Sequence, residues 1–116
     1  MSEEIKAGRD LDALIAEKRG WSDFSKCAMG VYGKAPGIDG RTEVPRFSTS
    51  MDAALPLVER FHMSIYAPLR AGEPWVAVAK VQGNGFLRGG RFNGEASTAP
   101  LAICKAFLAA VEGGER

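Results

Sequence analysis

The sequence predicts a mixed helix and strand domain in which helices cover a sheet, and three observations carry that prediction. Helical periodicity stands near both ends of the chain, another helix entry lies near its middle, and residues 75–81 carry apolar side chains on both strand faces. A strand apolar on two faces needs cover on two sides, which three amphipathic helices supply.

The first helix is predicted over Ala7 to Arg19. Leu11, Leu14 and Ile15 fall on one side, with Arg9, Asp12, Glu17 and Arg19 on the other. Gly20-Trp21 ends it. From Ser22 to Val44 the pattern dissolves into glycine, proline and polar residues around a short strand at Ala28-Met-Gly-Val-Tyr32. Such an irregular insert in a small domain is expected to form a wall or lid of a site.

A second helix entry follows at Pro45 to Asp52, with Thr49 and Asp52 in a cap-like spacing. Its inward residues are expected to be Ala54, Leu55, Val58 and Phe61, with a bend or late start at Pro56. Two strands are predicted next. Met63, Ile65 and Ala67 alternate against Ser64 and Tyr66, and Trp75, Ala77, Ala79 and Val81 stand opposite Val76, Val78 and Lys80. Gly89-Gly90 is expected to be a two-residue hairpin turn between short strands.

The closing helix is the firmest prediction. Ser97 or Thr98 accepts from the free amides of the first turn, and Pro100 falls where no donor is missed. Leu101, Cys104, Leu108 and Val111 form one row with Ile103 and Phe107 beside it, and Gly113-Gly114 ends the helix.

At 116 residues and 46% apolar content the chain is expected to be one domain with one core. A formal charge of +1 gives no global field for a nucleic-acid backbone, so long DNA or RNA is not an expected partner. The charged start, Met1 to Lys6, predicts neither a signal peptide nor a membrane span, and hence a cytoplasmic protein with no membrane partner. Cys27 and Cys104 are isolated and read as reduced thiols, Cys104 as a small core residue. A short chain buries little core, so a homo-oligomer is expected.

The inventory offers little chemistry. His62 is the one histidine, and no H-x-x-x-H, H-x-E, CxxC, G-x-S-x-G or Walker spacing occurs. No metal, cofactor or catalytic residue is therefore expected, and His62 reads as a residue at a helix end. What remains is a binding constellation. Arg88 and Arg91 flank the Gly-Gly turn with Phe86 and Phe92 beside them, while Asn93, Ser97 and Thr98 lead to the positive tip of the last helix. Guanidinium forks and helix-end amides suit phosphate oxygens, and the rings suit a base.

Three stretches carry a family resemblance: Asp10 to Lys18 followed by Trp21, Val44 to Leu55, and Glu95 to Ala106. Taken together the chain resembles the phage ABA sandwich domain family, small proteins of tailed phages and prophages. The resemblance implies an α+β fold, an α/β/α sandwich whose mainly antiparallel sheet of about four strands is covered by helices on both faces. It departs at Pro56 and in the Cys27 to Arg41 insert. Phage origin also implies a class of ligand, because phages encode small oligomeric proteins that sequester nucleotide-derived immune signals. By similarity to the helix-flanked sponges that defeat the Thoeris system, the expectation is a non-enzymatic, anti-defence protein. It would sequester a cyclic nucleotide or a signal of cyclic ADP-ribose type between subunits. An accessory protein of phage assembly, using Trp21, Tyr32, Tyr66 and Trp75 for contact, and an enzyme acting on a nucleotide are the other two readings.

Overall fold

The computed structural model describes residues 7–27, 30–81 and 90–113. Along the chain these form α1 (Arg9–Lys18), β1 (Ser22–Cys27), β2 (Gly30–Lys34), β3 (Thr42–Glu43), α2 (Met51–Arg60), β4 (Ser64–Tyr66), β5 (Trp75–Val81), β6 (Gly90–Ala96) and α3 (Ala99–Gly113). Every strand pair is antiparallel, in two three-stranded sheets ordered β1-β2-β3 and β4-β5-β6. This is an α+β fold of sandwich type.

The 22–44 stretch is a sheet where an irregular insert was expected. β1 pairs with β2, with a register irregularity between Ser22 and Ser25, and β3 adds Thr42 and Glu43. Serines, glycines and lysines break its apolar alternation, so strand periodicity is weak there. Antiparallel sheets with one wet face tolerate that composition.

In α1, Leu11, Ile15 and Ala16 are buried, but Leu14 is exposed and Asp12 is buried, reversing the expected placement of both. The reason lies in a polar clasp. Asp12 Oδ1 accepts from the Ser48 amide at 2.8 Å and from the Ser48 hydroxyl at 2.6 Å. That hydroxyl in turn accepts from the Gly8 amide at 2.9 Å. A buried carboxylate is tolerable when its acceptors are filled this way, and the clasp ties the start of α1 to the segment before α2.

The cap of α2 is Ser50 rather than Thr49: its extended backbone lets the hydroxyl accept from the Ala53 amide at 3.4 Å. The helix runs through Pro56. Ala54, Leu57 and Phe61 are buried with Val58 packed beside them, whereas Leu55, expected inside, is exposed. The stripe follows the 54, 57, 58, 61 spacing, which leaves 55 on the outer side. At its end His62 takes φ +48° and the Met63 amide donates to the Val58 carbonyl at 3.0 Å. That is a Schellman closure with histidine in the left-handed position glycine usually fills.

α3 is the central element. One side lies on β5 and β6, another meets α2, and α1 touches it as well. Ala102, Ile103, Cys104, Ala106, Phe107, Leu108 and Ala110 are buried along it, and the Phe61 and Phe107 rings meet at 5.6 Å between α2 and α3. Gly94 allows this approach. It lies inside β6, where an added Cβ would stand 2.3 Å from the Ala102 carbonyl and 2.5 Å from the Ala106 amide. Only hydrogen fits there. Cys104 is buried as expected, and burial first, then the Asp12 charge, pushes its thiol up to about 12.

Candidate functional site

Register decides which side chains share a face. β5 pairs with β6 so that Lys80 stands opposite Arg91, Val78 opposite Asn93 and Val76 opposite Glu95; β4 adds Ser64 beside Val78 and Tyr66 beside Val76. Cross-strand partners point the same way, so these residues form one face of the second sheet. α3 occupies the other. On the face away from α3, Tyr66, Lys80, Arg91, Asn93 and Glu95 are exposed and Ser64, Val76 and Val78 half-buried.

Lys80 and Arg91 make the unusual contact. Cations directly opposite on neighbouring strands repel, with Cβ atoms about 5 Å apart. Neither forms an ion pair among the described residues, where Lys34–Asp23 at 3.4 Å and Arg46–Glu43 at 3.8 Å are surface bridges elsewhere. Among the described residues the sheet therefore carries an uncompensated +2 at one end of its open face.

The residues expected to make one site are distributed. Arg91 and Asn93 share the open face, whereas Phe92 points to the α3 side and packs half-buried against the core, so its ring does not offer a stacking surface. Ser97 and Thr98 are exposed at the start of α3, but six residues of extended strand set Ser97 about 20 Å from Arg91. Within one subunit the guanidinium and the helix tip do not converge. Arg88 and Phe86 lie outside the described residues. So does most of the predicted Gly89-Gly90 turn. Gly90 itself pairs with Val81 as the first residue of β6.

Two concavities bear on the chemistry. At the start of α3, Gly72, Glu73, Pro74, Glu95, Ala96 and Ser97 line a hollow of ≈ 520 Å³ whose two carboxylates oppose an anion. A second, of ≈ 300 Å³, lies at the N-terminus of α1, where Arg9 and Arg46 are matched by Asp12 and Glu43. Its charges cancel. Lys80 was the residue missed by sequence reasoning, since its neighbour across the sheet emerges only from the register. Among the described residues no group of three or more His, Cys, Asp or Glu could hold a metal ion, and no helix is long and apolar enough to cross a membrane.

No protein-family profile and no curated protein matches the chain. Among solved structures it is similar to a phage protein from Bacillus cereus ATCC 14579, at 25% identity and a TM-score of 0.72, covering 100% of this chain and 96% of that one. The likeness supports a phage-protein fold across the whole length.

Proposed function

We propose that this is a phage protein that binds a phosphate-bearing, nucleotide-derived signal on the open face of its second sheet and holds it without chemical change. The observation that carries the reading is Lys80 and Arg91, without an ion-pair partner among the described residues and set directly opposite each other on β5 and β6. Like charges in that relation cost stability, and local costs of this kind are characteristic of functional surfaces. A phosphate removes the repulsion and receives two charge-assisted hydrogen bonds, with the Asn93 amide in reach of a further oxygen. Tyr66, 58% exposed on the same face, supplies a ring for a base. Lys80, Arg91 and Asn93 provide charge and hydrogen bonds but no nucleophile paired with a base, so sequestration fits them better than turnover.

The test is mass spectrometry of small molecules released by heat from protein purified out of phage-infected cells, alongside Lys80→Ala/Arg91→Ala. The reading expects an intact phosphate-bearing nucleotide from the wild type and none from the double variant. Equal retention by both removes the site, and a chemically altered nucleotide makes the protein an enzyme.

A second reading has its own observation. Tyr66 and Leu69 are 58% and 93% exposed around the same sheet, and surface apolar groups of this size suit an accessory protein that docks on a partner.

A further inference from the structure

We propose that β6 pairs antiparallel with β6 of a second copy about a two-fold axis at Asn93, joining two β4-β5-β6 sheets into one of six strands. Among the described residues β6 is the last strand of its sheet, with β5 on one side only. On the other, the Lys105 ammonium reaches the Glu95 carbonyl at 3.1 Å in an exposed contact, which marks a backbone acceptor directed off the edge. Open edges template another strand. A carbonyl has two lone pairs, so a partner amide and Lys105 can share it.

Charge selects a second copy as the occupant. Arg91 and Glu95 lie two residues before and two after Asn93 on the same exposed face. Antiparallel pairing centred on Asn93 therefore sets Arg91 opposite the partner's Glu95, and symmetry repeats the pair. A one-residue slip would put these groups on opposite faces. On α3, Leu101 and Ala109 stand one turn either side of Lys105 and are half-buried, so the helix row beside this edge is largely apolar.

The pairing also completes the ligand site, a consequence that rests on the function proposed above. Across the six-stranded face the row then runs Lys80, Arg91, the partner's Glu95, the partner's Val76, the partner's Tyr66, at about 4.8 Å per strand. In that row Lys80 keeps its charge for a phosphate, the Arg91–Glu95 pair stands beside it with hydrogen-bonding capacity to spare, and the tyrosine offers a ring for a base.

Sedimentation equilibrium of ligand-free protein at micromolar concentration tests the pairing. The wild type is expected to be dimeric. Arg91→Glu and Glu95→Arg should each weaken the dimer about ten-fold or more, because like charges then face each other, and the double exchange should restore it. A monomeric wild type, single variants that stay dimeric, or a double exchange that stays monomeric overturns the pairing. Titration with ADP-ribose separates this from the ligand reading. Binding lost in Lys80→Ala but present in a monomeric wild type sinks the dimer alone. A charge-dependent dimer that does not bind ADP-ribose keeps the pairing and removes the composite nucleotide site.

Discussion

Replacing Gly94 by alanine should damage this fold more than any other glycine change within the two hairpin strands. The new methyl would lie 2.3 Å from the Ala102 carbonyl oxygen and 2.5 Å from the Ala106 nitrogen. Both are backbone atoms of α3, so no rotamer change relieves them, and ordinary contact requires the helix to retreat by about 1 Å. Overpacking costs about 1–3 kcal/mol, and the backbone neighbours place this site at the upper end. Reduced freedom of the unfolded chain returns about 0.5–1 kcal/mol. A net loss of about 2 kcal/mol follows, or roughly 8 °C or more in Tm for a domain of this size. Urea unfolding followed by far-UV circular dichroism measures it, with the m-value unchanged. Gly90→Ala is the control, because among the described residues its methyl would meet only the Phe92 ring, at 3.4 Å. If Gly94→Ala unfolded within about 0.5 kcal/mol of the wild type, like a neutral surface change, α3 would not lie on β6 as described.

Other changes probe separate parts of the structure. His62→Gly should stabilise by about 0.5–1 kcal/mol in the same urea assay, since His62 holds φ +48°, where a Cβ is unfavourable. Asp12→Ala leaves the Ser48 amide without its acceptor and the hydroxyl with only the Gly8 carbonyl at 3.4 Å, and should cost about 2 kcal/mol, with Asp12→Asn recovering part of it. Cys104 should resist iodoacetamide in native protein and react on unfolding. Its folded pKa is raised from 9.0 to about 12, so its contribution to stability is complete below pH 9.0 and declines as pH rises toward 12. Comparison with Cys104→Ala across that range isolates the effect. Lys80→Thr should gain about 0.5 kcal/mol at low salt by ending the repulsion with Arg91, while losing affinity for pyrophosphate.

The helices were legible because their signals are local. Pro100 and the 101–111 apolar row place α3, and Trp75–Val81 appears as a strand with the bounds read from its alternation. Errors arose where a distant residue decides the outcome. Asp12 sits on what looks like the polar side of α1 and is buried because Ser48, 36 residues away, receives it. Gly94 looks like turn glycine, and its need comes from a helix backbone laid across it later in the chain. The candidate site follows the same division: Arg91 and Asn93 are legible from their chemistry, but Phe92 alternates to the other face and Lys80 joins through register alone. The first sheet was hidden because its strands lack a repeating apolar face.

The most direct test of the account is amide chemical-shift mapping of isotope-labelled protein titrated with ADP-ribose. Shifts should concentrate on Lys80, Arg91, Asn93 and Tyr66 and vanish in Lys80→Ala/Arg91→Ala. Shifts centred on Arg9 and Arg46 at the start of α1, or none at saturating ligand, would contradict it.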